Sequence, residues 1–152
     1  MRDGLQIQRA TDEERDWASE LLAGSEPWIT LRSTVEQCRK VCWDSDYSLY
    51  IAHLDNNPCG LILLHPKGLA SSPYIKSIAV ADNYRRRGVG ASLMEFAENY
   101  FRKESKHLFL CVSSFNTKAK HFYEHIGYLP VGEFKNYVSE GASEILLHKR
   151  LR

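Results

Sequence analysis
The chain has no C-x-x-C pair, no internal repeat, no low-complexity tract and no linker. Its longest apolar runs, such as "LILL" at 61–64, fall far short of the roughly 20 residues a membrane-spanning helix needs. No cationic stretch followed by an apolar one opens the chain, so a cytoplasmic protein without a membrane partner is expected. Cysteine is sparse: Cys38, Cys42, Cys59 and Cys111 are the only four. A secreted disulfide scaffold would be shorter and richer in cysteine, so free buried thiols in a reducing compartment are expected. Excess charge is lacking too. Twenty basic residues face 19 acidic ones, a net charge of +1, which argues against a nucleic-acid partner. One local absence points the other way. No acid lies between Asp82 and Glu95, where three arginines stand together, and that pattern suggests a discrete anion site.

What is present fits a globular protein. Hydrophobic content of 43% in 152 residues suffices for a real core in a single domain, residues 1–152. "LQIQRA" (5–10) alternates as a short strand, and Thr11 with Glu14 forms a capping-box pattern opening a helix toward Gly24. Ser33 with Glu36 opens a second helix reaching about Trp43. Segments 47–54 and 59–65 read as a hairpin, and a loop with Gly68, Ser71, Ser72 and Pro73 leads to the strand 74–80. Beyond "ADNYRRRGVG", a helix carries Val89, Leu93, Phe96, Ala97 and Tyr100 at helical spacing. A strand (107–112), a helix (117–126) and two strands (128–134 and 143–151) complete the chain. Helices between strands in the second half and a hairpin in the first imply an α/β fold with a mixed sheet.

"RRRGVG" (85–90) joins an apolar strand to an amphipathic helix. Free N–H groups and the dipole at a helix start converge on phosphate oxygens, and glycines let the phosphate approach the main chain. The segment is not a Walker loop, and Gly88 and Gly90 lack the third glycine of a dinucleotide fingerprint. A pyrophosphate fits a short loop that opens a long helix; a tight turn with solvated arginines is the plain reading.

"HFYEH" (121–125) matches H-x-x-E-H, a zinc-binding spacing. At 100° per residue, however, Ala119, Phe122, Tyr123 and Ile126 share one face, and His121 and His125 point away from it. Two surface histidines are therefore expected, with no metal. Tyr123 is carried inward, where its hydroxyl needs a partner. From spacing alone, a packed structural tyrosine and a functional one both stand.

Together these segments resemble the GNAT superfamily of acyl-CoA-dependent N-acetyltransferases over residues 47–151. The family's cofactor signature, [QR]-x-x-G-x-[GA], is matched by Arg85, Gly88 and Gly90. Its second signature, N-x-x-A-x-x-x-Y-x-x-x-G-[FY], is matched by Asn116, Ala119, Tyr123, Gly127 and Tyr128. The resemblance implies a GNAT fold: a mixed sheet of about seven strands, splayed between the two that bind the cofactor, flanked by about four helices. It also implies acetyl-CoA as cosubstrate and no metal. Main-chain groups of Arg86, Arg87, Gly88, Val89, Gly90 and Ala91 would hold the pyrophosphate, beside Arg85. The strand residues Ile78, Ala79 and Val80 would carry the pantetheine arm, which Asn116 would bond, and Tyr123 would face the thioester sulfur. Lys118 and Lys120 could meet the nucleotide phosphates.

The implied function is N-acetyl transfer to a primary amine of a small molecule or peptide, by direct attack in a ternary complex. An amine of lysine-like pKa is protonated at neutral pH and must lose a proton before it attacks. The leaving thiolate needs a proton, which Tyr123 would supply, and a strand N–H near Val80 would polarise the carbonyl. Many relatives place a glutamate on the strand before the loop, but "YIKSIAV" has no carboxylate. Ser77 through water, Glu26 and Glu133 are alternatives, and no base is assigned. In the variable segments 24–33, 65–73 and 135–144, Trp28 and Tyr137 would wall the acceptor site, and Glu26 would attract a cationic amine. The "NY" at 136–137 also resembles members that modify peptide N-termini. A homodimer stays open. The competing readings are a non-catalytic acyl-CoA sensor or scaffold and a zinc hydrolase built on "HFYEH".

Overall fold
The computed structural model describes residues 3–152. Its strands are β1 (Leu5–Arg9), β2 (Ser48–Leu54), β3 (Asn57–Leu69), β4 (Ser72–Val80), β5 (His107–Ser113), β6 (Leu129–Ser139) and β7 (Ala142–Arg150). The helices are α1 (Asp12–Ala23), α2 (Val35–Cys42), α3 (Val89–Phe101) and α4 (Thr117–His125). The seven strands form one mixed sheet in the order β1-β2-β3-β4-β5-β7-β6, with β4 and β5 its parallel pair. Among the described residues, no helix is long and apolar enough to cross a membrane.

The run "LILL" explains how the layers assemble. Leu61 and Leu63 join the cluster under α1 and α2, whereas Ile62 and Leu64 join the cluster under α3. Successive strand residues face opposite sides, so an unbroken apolar run marks a strand covered on both faces. Strand β5 is different. Leu108, Leu110 and Val112 are buried toward α3 and α4, and the alternating His107, Phe109 and Cys111 are only half-buried. The first two helices cover β2, β3 and Ala79 of β4, leaving that face of β5 and β7 open.

Several expected boundaries move. The capping box of α2 is formed by Thr34 and Gln37, one residue beyond the expected Ser33 and Glu36. That register keeps Cys38 and Cys42 buried together on the inner face. The expected loop around 65–73 is a long hairpin in which Leu69 pairs with Ser72. Ala70 (φ 48°) and Ser71 (φ 63°) both adopt the left-handed conformation of a type I′ turn. Neither is a usual residue there, so the loop expected at this place carried no mark of a two-residue turn. Strand β6 runs on to Ser139 and turns through Gly141 (φ 81°) into β7. All four cysteines are free, three of them buried and Cys111 half-buried.

The splay is the feature that makes a site. Strands β4 and β5 pair only at Tyr74↔Phe109 and Ile75↔Leu110. Beyond that point β4 stays with β3 as far as Gly60↔Val80, and β5 stays with β7 as far as Ser113↔Glu144. Each strand is thus held on its outer side and drawn away from the other. Ala81 N–H donates to Cys59 O, toward β3. The backbone groups of Ile78 and Val80, which alternate with it, turn toward the gap.

Candidate active site
The helices differ at their N-termini. Helices α1 and α2 each begin with a complete capping box, but α3 and α4 begin with no side-chain cap at all. Gly88 caps α3 in the left-handed conformation (φ 80°). The first backbone bond of α3 runs from Ser92 N–H to Gly88 O at 3.0 Å, so the N–H groups of Val89, Gly90 and Ala91 have no partner within the helix. In α4 the first such bond is Lys120 N–H to Asn116 O at 3.1 Å. Both helix starts open onto one cavity of about 700 Å³ lined by Ile78, Ala79, Val80, Arg85, Arg86, Gly88, Val89, Gly90, Ala91, Asn116, Lys118 and Tyr123. A Cβ added to Gly88 would meet nothing within 4 Å, whereas one at Gly90 would lie 3.6 Å from Phe122 and 3.8 Å from Val80.

The arginines separate. Arg86 has a positive φ of 63°. Arg85 Nε reaches Val80 O at 3.2 Å and Asp82 Oδ1 at 3.3 Å. Arg87 is not in the cavity lining; its guanidinium lies 5.5 Å above the ring of Tyr84. Lys120 is also outside the lining, 3.9 Å from Glu124.

Tyr123 is 8% exposed. Its ring packs edge-on against Phe122 and Tyr128, with centroids 5.3 and 6.2 Å away. Burial pushes its phenol well above the ordinary tyrosine range. Its hydroxyl makes no hydrogen bond to the protein among the described residues, and the residue lines the cavity. Beneath it, Tyr128 donates to Glu98 Oε2 at 3.0 Å, and Lys149 Nζ donates to Glu98 Oε1 at 2.8 Å and Ile126 O at 2.9 Å. This buried network ties the end of α4 to α3 and β7.

A second cavity of about 640 Å³ opens on the other side of the splay. It shares Glu26, Ile78, Asn116, Ala119 and Tyr123 with the first, so the two meet at the tyrosine. Its walls include Trp28, Tyr74, Phe134 and Tyr137, and its polar groups include Glu26, Lys76, Ser77, Ser113 and Glu144. Glu26 is engaged locally: Oε1 accepts from Thr30 N–H at 2.9 Å and from the Thr30 hydroxyl at 2.8 Å. Ser77 Oγ is buried and has no partner among the described residues.

A family model for the acetyltransferase (GNAT) family matches residues 11–128. The chain belongs to the GNAT acetyltransferase family. The sheet order, the splay and the four helices are the fold expected of it. Comparison with curated proteins found no match, but solved structures align along nearly the whole chain. A GNAT-family protein from Desulfovibrio desulfuricans is similar at 17% identity and a TM-score of 0.84, covering 97% of this chain and 99% of its own. A GNAT acetyltransferase from Elizabethkingia anophelis, solved with acetyl-CoA bound, aligns at 20% identity and TM-score 0.77, covering 98% and 99%. The ribosomal-protein-S18-alanine N-acetyltransferase of Escherichia coli aligns at 17% and 0.77, covering 97% and 94%. At such identities the likeness is one of fold.

In this acetyltransferase the histidines of "HFYEH" are both exposed. Among the described residues, no group of three or more His, Cys, Asp or Glu could hold a metal ion. Glu133, an expected alternative for the base, is not in either cavity lining. Sequence reasoning overlooked Glu144, whose Oε1 accepts from the Ser113 hydroxyl at 2.7 Å. A signal existed: in "SEILLH" the alternation places Glu144, Leu146 and His148 on one face of β7. The side to which that face turns depends on β5, a distant strand.

Proposed function
We propose that the protein moves an acetyl group from acetyl-CoA to a primary amine of a small molecule or peptide, by direct attack in a ternary complex. The observation that carries the reading is Tyr123, a buried ring that lines both cavities where they meet and whose hydroxyl has no protein partner among the described residues. Acetyl-CoA supplies an acyl group activated as a thioester. The chain's residues fit its parts in turn. The uncapped start of α3, with Arg85 and Arg86 at its rim, suits a pyrophosphate, and Lys118 adds charge beside it. The unpaired edge of β4 at Ile78 and Val80 offers an extended arm the hydrogen bonds that a strand would make. The Val80 N–H suits a carbonyl oxygen that gains charge. Asn116 stands across the gap, lining both cavities, and its side chain does not cap α4.

Burial keeps the Tyr123 phenol protonated, so it retains a proton to hand to a leaving thiolate. Direct attack is favoured over a relay through Cys111. That thiol lines the acceptor cavity, but burial, outweighing a hydrogen bond from Tyr74, pushes its pKa up, and the nearby charge of Glu144 adds to the rise. Little of it is the thiolate that a covalent step requires.

The test is Tyr123→Phe, assayed for thiol release from acetyl-CoA with a panel of primary amines and peptides. Turnover should fall about 100-fold or more, and acetyl-CoA affinity by calorimetry should stay within about twofold. Full turnover in the variant would refute the assignment. Tight acetyl-CoA binding by the wild-type protein without turnover on any amine would favour a non-catalytic acyl-CoA-binding role.

A further inference from the structure
Strand β4 carries no carboxylate on the acceptor side; Lys76 and Ser77 stand there instead. We propose that Glu144 is the base of the transfer, docking the acceptor's ammonium group and receiving the proton its nitrogen gives up. The proposal rests on the acetyl-transfer reading above. Glu144 lies on β7 directly opposite Ser113, the last residue of β5, so it borders the splay from the far side of β4.

Two observations support it independently. First, the carboxylate is held but not consumed. The Ser113 hydroxyl, only 2% exposed, donates to Oε1 at 2.7 Å, and among the described residues Glu144 forms no ion pair. Glu26, the other carboxylate of this cavity, is exposed and occupied by Thr30. Second, Ser77 Oγ lines the same cavity from β4, buried and, among the described residues, without a partner. A hydroxyl buried without a partner is costly, and here it marks where a substrate nitrogen or a relaying water belongs. The charged and titratable groups facing this space are Lys76 and Tyr74 of β4, Cys111 of β5, Glu26 before α2, Tyr123 of α4 and Tyr137 of β6.

The step balances. The amine nitrogen bonds to the acetyl carbon as the carbon–sulfur bond breaks. The docked ammonium first gives one proton to Glu144, directly or through water at Ser77, and on to solvent; the thiolate takes its proton from Tyr123, and the second proton shed by nitrogen as the amide forms returns through water to restore the phenol. The acceptor class follows from the walls: a cationic primary amine whose carbon frame lies against Trp28, Phe134 and Tyr137, with aromatic faces favouring the cation.

The test is Glu144→Gln, which keeps the volume and an oxygen for Ser113, with phenethylamine and an alanine-initiated peptide as probes. With the amine that turns over, kcat/KM should fall about 100-fold or more. The pH dependence of the variant's rate should follow the free-amine fraction of the acceptor alone and differ from the wild-type profile. In saturating CoA, calorimetric affinity for phenethylamine should weaken at least about tenfold, with acetyl-CoA affinity and Tm unchanged. A variant that folds, turns over and retains the wild-type pH profile would overturn the proposal alone. Wild-type protein that binds acetyl-CoA but acetylates neither these probes nor any amine or peptide of the panel would overturn the transfer reading and this proposal with it.

Discussion
Gly88 and Gly90 lie two residues apart in one loop, and a single methyl group added to each should act with opposite sign. At Gly88 the φ of 80° is left-handed, and an added Cβ would touch nothing within 4 Å. The cost of Gly88→Ala is therefore conformational, about 1–2 kcal/mol for an L-residue in that region. It is partly offset by about 0.4–1 kcal/mol, because alanine restricts the unfolded chain. A net loss of about 1 kcal/mol remains. Gly90 sits inside the first turn of α3 with no positive φ, and its Cβ would stand 3.6 Å from Phe122 and 3.8 Å from Val80, ordinary contacts. Gly90→Ala should therefore stabilise by about 0.4–1 kcal/mol. In a chain of this size each kcal/mol moves Tm by about 2–4 °C, so scanning calorimetry should show Tm falling for the first variant and rising for the second. Acetyl-CoA titration separates them again: the Gly88 methyl projects into the open cavity and should weaken binding at least about tenfold, since it blocks close approach to the α3 N–H groups. The Gly90 methyl faces Phe122 and should change affinity little. Shifts of the same sign in Tm, or unchanged affinity in Gly88→Ala, would refute the reasoning.

Two further perturbations reach residues away from the cofactor cavity. Lys149→Met strips the buried Glu98 of its ion pair and Ile126 O of its donor, so stability should fall by about 3 kcal/mol; the Glu98→Leu, Lys149→Met double variant should regain part of it, and thermal melts of the three proteins check this. His148 is held below its ordinary value of 6.5 by burial first, then by the charges of His107 and Arg150. The unfolded chain therefore binds more protons as pH drops from 6.5, so this contribution is complete above that pH and is lost as pH falls through the folded value. His148→Gln should flatten the dependence of Tm on pH below 6.5.

What was legible in the sequence depended on how local the information was. The box at Thr11 and Glu14 and the inward turn of Tyr123 each follow from a few neighbouring residues, and each stands in the structure. The α2 start was ambiguous by one residue, since both Ser33–Glu36 and Thr34–Gln37 fit the pattern, and the burial of Cys38 and Cys42 selects between them. A loop was legible before the strand at 74–80, but its tight form at Ala70–Ser71 was not, because neither residue favours a positive φ. For the site, the cofactor side is a property of backbone at one strand–loop–helix junction, which consecutive letters can encode. The acceptor side brings together Glu26, Ser77, Ser113 and Glu144 from four separated segments. Only strand register decides that Glu144 meets Ser113.

The unequal treatment of helix starts ties the fold to the chemistry. A side-chain cap contributes about 1 kcal/mol, and the chain uses complete boxes on α1 and α2, the helices that close one face of the sheet. It forgoes them on α3 and α4, whose starts converge on one cavity beside the unpaired edge of β4. Among the described residues, the starts of α3 and α4 and the splayed edge of β4 thus turn backbone donors toward a single groove. Such groups carry a standing cost that an anionic, extended ligand removes on binding. The Glu98–Lys149 pair then acquires a purpose beyond stability, because it fixes the far end of α4 through Ile126 O and Tyr128. With its start uncapped and its end clamped, α4 holds Tyr123 at the junction of the two cavities while its open end remains available to the ligand.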